Sequence, residues 1–258
     1  MLSLNSVYVG YPGKQVVKNV SFDVFPGEFC ALLGLNGSGK TTLLKGICGL
    51  LPISDGKCLL GGTDLTELNE KKRAKYTSLI PQRHSKLIGV TVIDAVLMGY
   101  NAKLGFLEFP SQTDKGLAAN ALEKMGILHL ANNDFSKLSE GQKQLVILAR
   151  SIVQDAPVML MDEPDSALDF PNKHMILSAV RKLVKESAEI EKSCLLTLHD
   201  PNLALRFCDR LILLHEGEVV AVVSLADANC EDVQSSLSAV YEGITVYERD
   251  GCFRCELR

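Results

Sequence analysis

The sequence predicts an α/β fold built on a parallel sheet, and three observations carry that expectation. The apolar run Phe29 to Leu33 stops at Gly34, and a helical pattern with Leu43, Leu44 and Ile47 follows. Two more short runs, Val158 to Met161 and Cys194 to Leu198, are apolar without alternation, the pattern of strands buried on both faces. Each follows a helical segment, Gln142 to Val153 and Lys173 to Lys185, and strands alternating with helices require crossover connections in a layered core.

In chain order, Val16 to Val24 reads as a strand rich in β-branched and aromatic residues, separated from Phe29 to Leu33 by the turn Pro26-Gly27. The helix after Gly34 should end near Gly49. Between Arg83 and Ser136 the strand signal fades, and helical segments such as Val92 to Met98 and Gly116 to Leu122 replace it. This predicts one domain over 1–258, with a core formed by 1–82 and 150–225 and a helical insertion at 83–149. From Leu225 onward the chain leaves the core pattern, so 226–258 reads as a C-terminal extension. It should end in a hairpin, Ile244 to Tyr247 and Cys252 to Cys255, around Arg249-Asp250-Gly251. No repeat or low-complexity stretch interrupts the 258 residues.

Composition narrows the function. No segment approaches the roughly 18 to 20 uninterrupted apolar residues of a membrane span, and Met1-Leu2-Ser3-Leu4-Asn5 begins no signal-peptide pattern. The chain is therefore expected to be cytosolic and to meet a membrane only through a partner. Net charge is −4 with basic residues scattered, so no nucleic-acid partner is expected, because such partners call for a cationic patch. Of eight cysteines, most sit in apolar contexts, as Cys30 and Cys194 do. Cys252 and Cys255 have ligand-like spacing but no second pair, which favours reduced structural thiols over a metal site.

The chemistry begins at Gly34-Leu35-Asn36-Gly37-Ser38-Gly39-Lys40-Thr41, a match to G-x-x-x-x-G-K-(S/T). Glycines let the backbone bend so that successive N–H groups face phosphate oxygens, and the following helix adds its positive end. Lys40 then reaches the β- and γ-phosphates of ATP, and the Thr41 hydroxyl ligates Mg²⁺. Downstream, the Val158 to Met161 strand ends in Asp162-Glu163. Ligands bind at the C-terminal ends of parallel strands. There Asp162 can hold the Mg²⁺ shell, and Glu163 can act as general base toward the attacking water.

Leu138-Ser139-Glu140-Gly141-Gln142 resembles the LSGGQ signature of ATP-binding cassette proteins, and it lies where that family has it, after the helical insertion and before the Asp-Glu strand. The resemblance covers nearly the whole chain. It implies a RecA-like P-loop NTPase core with an antiparallel β subdomain and an inserted helical subdomain. Tyr11 looks like the residue that stacks on adenine, and Gln82 like the glutamine that joins Mg²⁺ to the helical subdomain. Ser166-Ala167-Leu168-Asp169 looks like the D-loop, and His199 like the switch histidine that contacts the γ-phosphate. Glu163, His199 and Gln82 are thus the catalytic candidates, and Thr41, Gln82 and Asp162 the metal candidates.

Ser139 followed by Gln142 is also a capping-box pattern, so it should start the helix through Ile147 and Leu148. In the family, the Ser139 hydroxyl and Gly141 N–H face the γ-phosphate bound by the opposite subunit, which implies a head-to-tail homodimer with two ATP at its interface. Glu140 departs from the family, where glycine is usual. Its carboxylate is expected to point outward, since inward it would repel phosphate.

The implied activity is ATP hydrolysis that energises a membrane transporter through separate permease subunits, peripheral to the cytoplasmic face. Leu198-His199-Asp200-Pro201-Asn202-Leu203-Ala204 and Met98-Gly99-Tyr100 resemble importers of iron–siderophore, haem or cobalamin complexes. An exporter subunit, or a soluble cassette ATPase acting on DNA or ribosomes, stands as the alternative.

Overall fold

Phe29, Cys30, Ala31, Leu32 and Leu33 are each fully buried, and the alternation of the strand sends them to two different cores. The computed structural model describes residues 1–82, 87–105, 108–166, 168–186 and 191–257. Its elements begin with β1 (Leu2–Tyr11), β2 (Lys14–Val24), β3 (Phe29–Leu33), α1 (Lys40–Cys48), β4 (Ile53–Leu60), β5 (Thr63–Asp64), α2 (Glu70–Arg73) and β6 (Thr77–Ile80). Next come α3 (Val92–Leu97), α4 (Gln112–Lys124), α5 (Glu140–Gln154), β7 (Val158–Met161), α6 (Phe170–Lys185), β8 (Ser193–Thr197) and α7 (Pro201–Phe207). The chain closes with β9 (Arg210–His215), β10 (Glu218–Ser224), α8 (Cys230–Ser238), β11 (Ile244–Arg249) and β12 (Cys252–Leu257).

The main sheet runs β10-β9-β3-β8-β7-β6. It is parallel except for the antiparallel edge strand β10. A second, antiparallel sheet runs β2-β1-β4-β5. Cys30 and Leu32 of β3 join Val158 and Leu160 of β7 in the core that faces the antiparallel sheet and α1. Phe29, Ala31 and Leu33 join Met159 and Met161 in the core beneath the helices. Two-sided burial explains why these strands are apolar without alternation, and why they read clearly from sequence. This is the expected P-loop NTPase architecture.

Several elements were not foreseen. β1 and β4 pair with register shifts, and Ser6 and Gly56 adopt positive φ there, so bulges break the period-two pattern. The helical stretch carries α3, α4 and α5, and α5 bears out the expected helix Gln142 to Val153, so the expected boundary between 149 and 150 falls within a helix. It packs on α3 and α4, and its C-terminal end reaches β6 through Ser151, whose hydroxyl meets that of Ser78 at 2.9 Å, and Gln154, which donates to the Thr77 carbonyl at 3.0 Å. The expected start of the insertion at Arg83 lies outside the described residues.

The C-terminal stretch does not leave the core as expected. Val233, Leu237, Val240, Ile244 and Cys255 are buried in the cluster beneath the helices, although β11 and β12 pair only with each other. Arg249 pairs with Cys252, so the hairpin turn is Asp250-Gly251 alone rather than Arg249-Asp250-Gly251. Both turn residues have positive φ, 54° and 70°, as a type I′ turn requires. Among the described residues, no helix is long and apolar enough to cross a membrane.

Helix α1 ends at Gly49, in the left-handed region at φ 80°. A Cβ there would lie 2.0 Å from a guanidinium nitrogen of Arg73, a buried side chain that donates to the Leu68 carbonyl at 3.1 Å. Gly49→Ala should therefore lower stability by about 1–3 kcal/mol, from left-handed strain plus displacement of Arg73. An unchanged urea midpoint would contradict this account of the helix end.

Candidate functional site

The loop from Gly34 to Gly39 joins the end of β3 to α1. Gly34 is required by close approach: a Cβ there would lie 2.3 Å from the Leu214 carbonyl oxygen and 2.6 Å from Ser38 Oγ. Gly217 N–H donates to the Ser38 carbonyl at 2.9 Å and its own carbonyl accepts from Lys18 N–H at 2.8 Å, so the β9–β10 turn braces the loop against β2. Lys40 is buried, and its Nζ donates to the carbonyls of Gly34 at 2.8 Å and Leu35 at 3.1 Å. Burial pulls its ammonium below the usual lysine range, while the Glu163 and Asp162 carboxylates hold it up.

Parallel pairing places the ends of β3, β7 and β8 side by side. Just beyond β7, Asp162 Oδ1 accepts from Thr41 Oγ1 at 2.9 Å and from Thr197 Oγ1 at 3.1 Å. Thr197 Oγ1 also accepts from Glu163 N–H at 2.8 Å. Glu163 has φ 48°, and its carboxylate lies between two side chains: His199 Nε2 is 2.6 Å from Oε1, and Gln82 Nε2 donates to Oε2. The next carboxylate, Asp165, is buried with its Oδ2 3.7 Å from Lys173 Nζ, and burial pushes its carboxyl above the usual range.

A cavity of about 290 Å³ opens over this loop, lined by Asn36, Gly37, Gly39, Lys40, Thr41 and Glu163 together with Tyr11 and Lys14. Tyr11 is thus brought to the phosphate loop on β1, with its ring 44% exposed and free to stack on a planar group. Thr41 and Asp162 offer hard oxygen donors 2.9 Å apart, and the Gln82 amide nitrogen donates to Glu163. No group of three or more His, Cys, Asp or Glu is arranged to hold a metal ion among the described residues, so the Thr41–Asp162 pair is the candidate donor set. That set suits Mg²⁺, which takes one or two carboxylates and completes its octahedron with phosphates and water.

The signature residues lie elsewhere. Ser139, Gly141 and Gln142 form the start of α5 and do not line the phosphate cavity. Ser139 Oγ accepts from Gln142 N–H at 3.3 Å, and Gln142 Oε1 accepts from Ser139 N–H at 3.0 Å, so the capping box is formed. As an acceptor in that bond, the Ser139 hydroxyl still has its proton to donate. Glu140 points to solvent as expected, its carboxylate 2.7 Å from Lys143 Nζ. A narrow cleft lined by Gln82, Glu140, Gln144, Glu163, Ser166 and Leu168 links the signature helix to the catalytic candidates of the same chain. Asp169 caps α6 by accepting from Asn172 N–H at 3.1 Å, while Ala167 of the expected D-loop lies outside the described residues. Cys252 is exposed and Cys255 buried.

Sequence reading missed Thr197, which joins Asp162 and Glu163. Its signal was available, as the one hydroxyl near the end of an otherwise apolar strand. It also missed Gln144, a buried amide whose Nε2 has no hydrogen-bond partner among the described residues.

Comparison with known proteins places this geometry. The family model for ABC transporter matches residues 17–166. The hemin import ATP-binding protein HmuV of Shewanella denitrificans is 35% identical over 225 residues, covering 85% of this chain and 86% of that protein. An inward-facing structure of a metal-chelate type ABC transporter superposes with TM-score 0.80 at 26% identity, covering 98% of this chain and 95% of that one. A dimeric ATP-binding cassette in a post-hydrolysis state with ADP and Pi gives TM-score 0.75 at 27% identity, covering 87% and 99%.

Thr197 is fully buried, so Thr197→Val keeps shape while removing the bonds to Asp162 and Glu163. Leaving the Glu163 N–H without a partner should cost about 1–3 kcal/mol of stability. The measurement is urea unfolding, and wild-type stability would mean that the hydroxyl is dispensable.

Proposed function

This chain belongs to the ABC transporter family and is an ATP-hydrolysing subunit, and from that membership we propose how its residues work and what they energise. The carrying observation is Glu163, set beside the Thr41–Asp162 pair with one carboxylate oxygen at Gln82 and the other at His199. When bound, ATP supplies the phosphoryl group and Mg²⁺ neutralises its developing charge.

The chain's own groups do the rest. Backbone N–H groups of Gly34, Leu35, Asn36, Gly37, Ser38 and Gly39 and the Lys40 ammonium hold phosphate oxygens. Tyr11 stacks on the base, and Thr41, Asp162 and Gln82 hold the cation. Glu163 takes the proton of the attacking water at Oε1 or Oε2, and His199 and Gln82 fix where that carboxylate points. Ser139, Gly141 and Gln142 lie away from this cavity, so they are free to complete the site of a second copy, arranged head to tail.

We assign the chain to an importer of metal chelates of the iron–siderophore, haem or cobalamin kind, bound peripherally to permease subunits at the cytoplasmic face. The similarity to a hemin import subunit and to a metal-chelate transporter supports that cargo class. Co-expression with a polytopic permease pair should yield a complex that retains this chain. Recovery with ribosomes or DNA instead would sink the transport reading.

Two substitutions separate binding from chemistry. Glu163→Gln should lower turnover about 10²- to 10³-fold, the usual contribution of a general base, and leave ATP affinity within a few-fold. Lys40→Ala should instead weaken ATP binding roughly 10- to 100-fold, the loss of one charge-assisted contact. Both are read by ATPase kinetics beside nucleotide titration, and near-normal turnover in Glu163→Gln would remove its assigned role.

A further inference from the structure

The C-terminal unit, α8 with the β11–β12 hairpin, is tied to the segment that follows His199. Asn202, the second residue of α7, makes a paired contact with the backbone of β12: its Nδ2 donates to the Cys255 carbonyl at 2.9 Å, and its Oδ1 accepts from Cys255 N–H at 2.9 Å. Cys255 is buried, so breaking this pair would leave backbone groups of β12 unsatisfied. At the other end of the unit, Tyr241 donates its backbone N–H to the Leu237 carbonyl at 2.8 Å and packs against the core cluster.

The unit has its own internal brace. Gln234 of α8 donates to the Ile244 carbonyl at 2.7 Å and accepts from Val246 N–H at 2.5 Å. Val233 and Leu237 are buried in the core cluster. The hairpin is therefore fixed to α8, and α8 to the core.

The connection from Asn202 back to His199 is short and stiff. Asp200 accepts from Asn202 N–H at 2.8 Å, and Pro201 fixes its own φ. A shift of Asn202 is thereby passed to the His199 imidazole, which lies 2.6 Å from Glu163.

We infer that Asn202 is a positioning residue: through its two bonds to Cys255, the C-terminal unit sets where His199 stands relative to Glu163. The unit extends a path from Glu163 through His199 and Asn202 to β12 and, across the hairpin, to α8. It gives the C-terminal extension a role in ATP turnover. Asn202 itself does not touch the reacting atoms. The inference rests on the catalytic reading of His199 given above.

The test is a double-mutant cycle on the full chain, with ATP turnover measured against ATP concentration for wild type, Asn202→Ala, His199→Ala and the double variant. Asn202→Ala should lower kcat about tenfold, as expected when a catalytic group is misplaced by a fraction of an ångström, with KM for ATP within twofold. The double variant should be no slower than His199→Ala, because the two residues act as one unit. Asn202→Asp keeps the acceptor for Cys255 N–H but turns a carboxylate toward the Cys255 carbonyl, so its kcat should fall in between. That variant carries the same cycle if Asn202→Ala does not fold. Wild-type kcat in Asn202→Ala, losses that multiply in the double variant, or a loss confined to KM would each overturn the inference. Wild-type kcat in His199→Ala would instead overturn the catalytic reading of His199.

Discussion

The two-sided burial of the central strands is the constraint on which the rest of the molecule depends. Because β3, β7 and β8 carry apolar side chains to both faces, they cannot shift register by one residue without moving each side chain into the wrong core. Parallel pairing then fixes their C-terminal ends at one edge of the sheet. The phosphate loop, Asp162 and His199 each follow one of those ends. The site is assembled by the register of the sheet, and the loops inherit their positions from it.

What register places, hydrogen bonding refines. Asp162 is 7% exposed and Thr41 and Thr197 both donate to one of its oxygens, so a carboxylate is kept inside the fold at a modest desolvation cost. Thr197 extends the same set to the Glu163 backbone. Lys40, with its ammonium drawn onto the loop carbonyls, supplies the opposite charge. Local charges are thus compensated within the chain, and the net −4 of the whole sequence says little about the field that a phosphate meets.

Legibility in the sequence followed the same division. β3 and β7 read to the residue because burial on both faces leaves an uninterrupted apolar run, and the loop after β3 read because phosphate recognition demands glycines and a lysine at fixed spacing. β1 and β4 were hidden by bulges at Ser6 and Gly56, where turn-type residues sit inside strands. The attachment of the C-terminal unit was invisible for another reason. It depends on the Asn202 side chain meeting backbone distant in sequence, and no local pattern records such a meeting. The signature residues were legible as a motif, whereas the second copy that they are proposed to serve lies outside any single chain.

Glu163 holds a backbone angle of φ 48°, a region in which a residue other than glycine sits at a cost of order 1–3 kcal/mol. The surrounding bonds through Thr197 keep it there. A chain selected for durability alone would relax that position, with glycine as the easiest substitute, and would discard the carboxylate in doing so. Thermal hardiness and catalytic competence therefore pull in opposite directions at this residue, and tolerance to mutation elsewhere in the fold is set partly by the strain retained here.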